Sequence, residues 1–284
     1  MASALHLAPG CQPYPGYELT QFLGRGGWGE VWKAQRQDGA VRALKFLPSD
    51  SQLTAAAQEV RALQAIRQLD HPHLLKPEQI WSCPGYLVLV MELADGNLLD
   101  LLEVYLAEFG GPITAEHLCF FLSQAAKALD FLNARQHKMD GQRVAFRHCD
   151  VKPSNLLVLG QKVKLADFSL AVQTTGPIWH HRRVGTLNYA APEIFHGWLS
   201  DRTDQYALAI TYVQLRTGAL PFEPPPGFNP DYVRPAPDLS RLTPAEVAII
   251  KRGLAPVPQD RWPTCGEMLR HLSEAARAAC QVAG

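Results

Sequence analysis

The chain has 284 residues, 47% of them apolar, enough for one large domain or two small lobes with a substantial core. Its 27 Lys and Arg balance 27 Asp and Glu, which argues against bulk electrostatic binding to nucleic acid or an anionic membrane. No run approaches the ~18 apolar residues of a membrane span, the start lacks a leader pattern, and the cysteines (Cys11, Cys83, Cys119, Cys149, Cys265, Cys280) form no C-x-x-C pair or zinc spacing. These features predict a cytoplasmic protein without a membrane span or a nucleic-acid partner.

In chain order, residues 1–16 are rich in Ala, Pro and Gly and read as a loose arm. Residues 17–93 show short apolar runs punctuated by glycine, a meander of strands. They are interrupted by an amphipathic stretch over 53–69, where Val60, Leu63, Ile66 and Leu69 recur at helical spacing. After Gly96 the pattern predicts helices over 115–134 and 203–215, a proline-dense loop over 221–237, and helices over 243–253 and 264–279 with Thr243 and Thr264 as N-caps. A β-rich part followed by an α-rich part, joined near residues 92–97, predicts two lobes with a cleft between them, the default place for a site.

Two segments carry chemistry. Leu23-Gly24-Arg25-Gly26-Gly27-Trp28-Gly29-Glu30-Val31 contains G-x-G-x-x-G, whose glycines let backbone N–H groups approach phosphate. A dinucleotide fingerprint runs into a helix and a Walker A loop ends in Gly-Lys-Ser/Thr, but here the pattern continues as a strand. Next comes Val41-Arg42-Ala43-Leu44-Lys45, an alternating strand whose lysine can reach the phosphates of a nucleotide under the hairpin. Glu59 on the amphipathic stretch is the candidate carboxylate to hold Lys45. A ligand-free glycine hairpin and a merely exposed lysine remain alternatives for each feature taken alone.

The second segment is His148-Cys149-Asp150-Val151-Lys152-Pro153-Ser154-Asn155. It is followed in order by Asp167-Phe168-Ser169, Gly185-Thr186, Ala191-Pro192-Glu193, Asp204, Gly218-Ala219-Leu220-Pro221-Phe222 and Arg261. This ordered set resembles the eukaryotic-type (Hanks-type) protein serine/threonine kinase family, and the Arg/Ala content together with Cys149 resembles its bacterial members. The resemblance runs from about Tyr17 to Leu272. It implies an α+β bilobal protein-kinase-like fold, with an antiparallel β-sheet N-terminal lobe carrying one helix and a larger, mainly helical C-terminal lobe. The organisation expected is an arm over 1–16, a kinase domain over 17–276 (lobes about 17–93 and 97–276) and a tail over 277–284.

The resemblance also implies roles. Asp150 would orient a Ser/Thr hydroxyl and take its proton, and Lys152 would stabilise the transferring phosphate. Asn155 and Asp167 would ligate Mg2+, and Lys45, held by Glu59, would anchor the ATP phosphates beneath Gly24, Gly26 and Gly29. Val31, Ala43 and Leu157 would cover the adenine, Glu92 and Ala94 would bond its edge through the backbone, Met91 would stand at the back of the pocket, Asp95 would reach the ribose, and Leu23 is counted with the ATP-binding residues. Lys152 is the serine/threonine form of the loop. Thr186 would bond Asp150 and Lys152, and Glu193 would pair with Arg261 beneath the substrate platform. The partners implied are ATP and Ser/Thr-bearing proteins. A pseudokinase scaffold and a small-molecule phosphotransferase are the alternatives; Lys45, Asp150 and Asp167 weigh against the first, Gly185-Thr186 and Ala191–Glu193 against the second.

Four departures sharpen the expectation. Cys149 stands where most members have an arginine that binds an activation-loop phosphate, so activity is expected without such phosphorylation. Thr174 and Thr175 are the phosphorylatable residues between Ser169 and Gly185. Cys149 itself reads as a buried small side chain, with a redox role as its rival. Ser169 replaces a glycine and hinders a backbone flip. His180-His181-Arg182-Arg183 reads as a solvated basic loop, with an acidic substrate preference or contact with a regulatory acidic partner as the alternatives, and a short insertion over 139–144 as a surface turn at Asp140-Gly141.

Overall fold

The computed structural model describes residues 5–14, 16–26, 29–48, 64–139, 141–176, 178–180 (backbone) and 185–283. Its backbone contacts form two compact units: residues up to Asp70 with Leu75–Asp95, and His71–Leu74 with Gly96 onward.

The first unit is built on an antiparallel sheet of β1 (Tyr17–Gly26), β2 (Gly29–Arg36), β3 (Val41–Pro48), β4 (Gln79–Cys83) and β5 (Tyr86–Glu92), in the order β1-β2-β3-β5-β4. Alternation places Tyr17, Leu19, Trp32, Ala34, Leu44, Phe46, Val88 and Val90 in one buried cluster. The cross-strand pairs Val31↔Lys45 and Ala43↔Met91 therefore put those four residues on the opposite face. Residues 5–14 are not a loose arm. Gly10 donates to Leu19 O at 2.7 Å, Leu19 to Cys11 O at 2.8 Å, and Leu7 and Cys11 pack on the sheet's cluster. Of the amphipathic stretch, residues 64–68 are helical and Leu69 follows them, buried; residues 53–63, Glu59 included, lie outside the described residues.

The second unit begins with β6 (Gly96–Asn97) and α1 (Leu98–Phe109), a helix that the apolar periodicity did not single out. Asn97 and Asp100 form its capping box and Gly110 closes it in the left-handed conformation. α2 (Ala115–Asn133) follows, then the hairpin of β7 (His137–Met139) and β8 (Gln142–Arg147), whose turn carries Gly141 at φ 77°. The inserted turn thus belongs to a paired hairpin; Asp140 lies outside the described residues.

After the catalytic segment come β9 (Leu156–Leu159), β10 (Lys162–Leu165), β11 (Val172–Thr174), β12 (Ile178–His180), α3 (Pro192–Phe195) and β13 (Trp198–Ser200). The chain finishes with α4 (Thr203–Thr217), α5 (Pro244–Gly253) and α6 (Cys265–Ala283). Thr243 and Thr264 accept from the backbone N–H groups of Glu246 and Glu267. α6 continues to Ala283, through residues expected as a tail. Asp130 of α2 accepts from Cys265 N and Gly266 N, both at 2.8 Å, and so welds α2 to the positive end of α6. α4 is buried almost all round. Two of its polar residues are satisfied there, Gln205 by exchanging two hydrogen bonds with the Trp262 backbone and Asp204 by accepting from His148 N and Cys149 N, whereas the buried Thr211 hydroxyl has no partner.

Candidate active site

Residues 148–155 form the connection between β8 and β9, and its shape is set from below. Asp204, in the first turn of α4, accepts from His148 N and Cys149 N, both at 2.9 Å. That grip holds Cys149 at φ 66°, a conformation that costs a non-glycine residue of the order of 1–3 kcal/mol. The Cys149 side chain is buried among Leu170, Ala190, Ile194, Phe195 and Leu199, and burial pushes its thiol well above the ordinary range. A buried thiol kept protonated is a poor nucleophile, so the surroundings suit packing rather than redox chemistry. The ring of His148 is buried and works as a brace. Its Nδ1 accepts from Asp150 N at 3.3 Å, and its Nε2, which must then carry the proton, donates to Ala166 O at 2.9 Å.

Asp150 is the centre of the site. Its Oδ1 accepts from Thr186 N at 3.0 Å and Thr186 Oγ1 at 2.8 Å. Its Oδ2 accepts from Asn155 Nδ2 at 3.0 Å and pairs with Lys152 Nζ at 2.7 Å. Lys152 Nζ also donates to Thr186 Oγ1 at 2.7 Å, so hydroxyl, ammonium and carboxylate close a triangle. Burial by itself raises the Asp150 carboxyl; the hydrogen bond and charge of Lys152 and the two bonds from Thr186 outweigh it, and the net value lies below the ordinary one. Asp150 is therefore ionised at neutral pH. Gly185 explains how Thr186 comes so close: a Cβ there would stand 2.3 Å from Cys149 O and 3.0 Å from Asp150 Oδ1. No other residue type allows that approach without a shift.

Asp167 is the second non-glycine residue with positive φ among those described, at 60°. Its neighbour Ala166 is pinned on both sides: its N–H donates to Asn155 O at 2.9 Å while its carbonyl takes the His148 bond. Ser169 Oγ donates to Asp167 Oδ1 at 2.8 Å, a side-chain contact that sequence reasoning missed. The donor chemistry fits a hard divalent cation. Asn155 spends its amide nitrogen on Asp150 O at 2.8 Å and Oδ2, which leaves its carbonyl oxygen, and Asp167 offers a carboxylate. Among the described residues no group of three His, Cys, Asp or Glu is placed to hold a metal. A set this sparse leaves coordination positions for phosphate oxygens and water.

The other nucleotide candidates lie as follows. Lys45 is 9% exposed on the face of the first sheet that carries Val31, Ala43 and Met91. Gly24 pairs with Val31 and Gly26 with Gly29 in the glycine-rich hairpin; Gly27 and Trp28 lie outside the described residues. A Cβ on Gly29 would stand 2.0 Å from Phe46 O, so the close passage of β3 already demands glycine there, whereas one on Gly24 would meet nothing within 4 Å. Leu23 is exposed on β1, Glu92 ends β5, Ala94 and Asp95 follow it, and Leu157, in the second unit, is half-buried on β9.

The activation segment is held by backbone pairing. β11 pairs with β8 and β12 with β13. Thr174 is buried on β11 with a hydroxyl that has no hydrogen-bond partner, while Thr175 is exposed. Of the basic cluster, only the His180 backbone falls within the described residues. Beyond the segment, Arg261 grips Glu193 in a two-pronged pair at 2.8 and 2.7 Å, with side chains 0% and 1% exposed.

The model of the family described as the protein kinase domain matches residues 17–271. The chain belongs to that family. It is 31% identical over 291 residues to the serine/threonine-protein kinase PknF of Mycobacterium tuberculosis, an alignment covering 91% of this chain and 56% of the relative. It is 32% identical over 273 residues to PknD of the same species, covering 89% of this chain and 38% of that one. The chain thus spans about half the length of these curated relatives, or less. The crystal structure of the M. tuberculosis PknI kinase domain, determined as a cysteine-to-alanine mutant, superposes with a TM-score of 0.69 at 27% identity, covering 96% of this chain and all of that one. The fold is the α+β protein-kinase fold, and membership of the family implies use of ATP and a divalent metal ion. No described helix is long and apolar enough to cross a membrane.

Proposed function

We propose that this chain is a protein serine/threonine kinase domain, spanning residues 17–276 with lobes over 17–93 and 97–276, that transfers the γ-phosphate of ATP to protein hydroxyls. The observation that carries the reading is the ionised Asp150 bonded at once to Lys152, Asn155 and Thr186. Phosphoryl transfer passes through a loose transition state, so the chain's task is to position groups and balance charge. Asp150 orients the substrate hydroxyl and accepts its proton late, for which its lowered basicity suffices because the hydroxyl becomes acidic as the new P–O bond forms. Lys152 is able to release Asp150 and turn to the transferring phosphate, and Thr186 shapes the space for a small hydroxyl.

The residues fit a Mg2+ ion, which Asn155 and Asp167 would hold and which supplies neutralisation of the phosphate charges. Lys45, the glycine-rich hairpin, Val31, Ala43, Met91, Glu92, Ala94, Asp95 and Leu157 would bind ATP, with Glu59 as the partner proposed for Lys45.

The reading extends to regulation and place. With Cys149 buried, Thr174 buried and the segment already paired as strands, activity requires no activation-loop phosphate; a cytoplasmic setting is consistent with it. The test is transfer of radiolabel from ATP to a generic basic protein by wild type and Asp150→Asn. Label transfer abolished in the variant supports the reading, and equal signals from both overturn it.

A further inference from the structure

We propose that Arg234, in the proline-dense loop between α4 and α5, is a positioning residue that sets the turn receiving the peptide substrate. The proposal rests on the kinase reading above. The Arg234 guanidinium donates from Nε to Ala190 O at 3.1 Å, and from Nη2 to Leu187 O at 2.6 Å, Asn188 O at 3.1 Å and Ala190 O at 2.9 Å. These carbonyls belong to one tight turn, the 3-10 turn Leu187–Tyr189 and its cap Ala190. The cation itself is locked between aromatic faces, its central carbon 4.8 Å from the Phe222 ring centre and 5.7 Å from that of Phe195. A planar fork with several fixed donors can hold three carbonyls in one arrangement; a lysine ammonium on a flexible stem cannot.

The turn starts one residue after Thr186, which gives Asp150 Oδ1 both of its bonds. At the other end of the segment, Gly185 is pressed against Cys149 O, with no room for even a Cβ. From α4, Gln214 accepts a hydrogen bond from the Tyr189 hydroxyl. The strip of residues 185–190 is thus clamped at its start by packing, beneath by α4 and at its end by Arg234, with Thr186 between the clamps. Residues 185–189 remain partly open to solvent, so an incoming peptide meets this strip beside Asp150. Freeing its far end lets Thr186 and the strip drift together. Among the described residues every backbone acceptor bonded to Arg234 is a carbonyl of this turn, so its role centres there.

The experiment compares wild type with Arg234→Met, which keeps the apolar stem and loses the donors, with Arg234→Lys, and with Arg241→Met, an exposed arginine bonded to Thr217 O. Initial rates are measured against a serine-containing basic peptide and, separately, against ATP. Arg234→Met is expected to raise the peptide KM about ten-fold while the ATP KM stays within about two-fold; Arg234→Lys falls between, and Arg241→Met changes neither. Hydrogen exchange of peptides covering residues 185–190 is expected to quicken about ten-fold in Arg234→Met and not elsewhere. A loss confined to melting temperature and active fraction, with peptide KM and local exchange unchanged, overturns the assignment of Arg234 alone. Absence of phosphate transfer by wild type overturns the kinase reading and the peptide role with it.

Discussion

Two carboxylate–cation pairs in the second unit have similar distances and different surroundings. Glu193 and Arg261 meet at 2.7 Å with both side chains buried, and every neighbour is fixed: Glu193 Oε1 also accepts from Thr203 and Ser200, while Arg261 donates to the carbonyls of Arg202, Ala255 and Pro256. Asp150 and Lys152 also meet at 2.7 Å, but Asp150 is 11% and Lys152 23% exposed, and besides Asp150 the ammonium holds the Thr186 hydroxyl. A saturated buried pair cannot exchange partners and only fixes geometry. A partly exposed pair loses less on exchanging partners than one sealed in the interior. The difference in chemistry follows from what surrounds the two pairs.

Substitutions should separate the pairs. Asp150→Asn should lower kcat by about 10²–10⁴-fold, the range for a lost general base, far more than the small stability lost with the carboxylate's charge accounts for. Arg261→Met should do the reverse, removing about 3–5 kcal/mol of stability in denaturant titration because it strands a buried carboxylate, while turnover per folded molecule persists. If Arg261→Met abolishes turnover in fully folded protein, the division between architectural and chemical pairs fails. Gly185→Ala should come next: pushing Thr186 off Asp150 is expected to cost about 10²-fold in kcat, as small misplacements do. Thr174→Val should raise stability by about 1 kcal/mol, since it removes a buried hydroxyl that has no partner, and leave activity alone.

The smallest effect is on pH. Asp150 lies below its ordinary 3.8, so any stability its ionised form contributes is present above that value and is lost as pH falls through the lowered one. The acid limb of kcat/KM should follow the same value, and Thr186→Val, which deletes one of the bonds that lower it, should move the limb upward.

How much of this was legible in the sequence depends on distance along the chain. Asp150, Lys152 and Asn155 lie within six residues, so their meeting is a local matter that a motif can carry. The need for glycine at 185 depends on Cys149 O, and the work of Arg234 on carbonyls more than forty residues earlier; neither leaves a periodic trace. α1 had its signals, Asn97 with Asp100 and then Gly110. Exposed Val104, Leu106 and Phe109, however, spread apolar residues round the helix and blurred its period. The arm over 5–14 looked loose because its composition is that of a loop, yet backbone bonds, which any composition can make, tie it to the sheet.

The most direct test is transfer from ATP by a Thr174→Val/Thr175→Ala chain, which has no phosphorylatable residue left between Ser169 and Gly185, with the product sites mapped by mass spectrometry. Phosphoserine or phosphothreonine formed at close to the wild-type rate, and lost when Asp150→Asn is added, is the predicted result. No transfer, or transfer that survives Asp150→Asn, would contradict it.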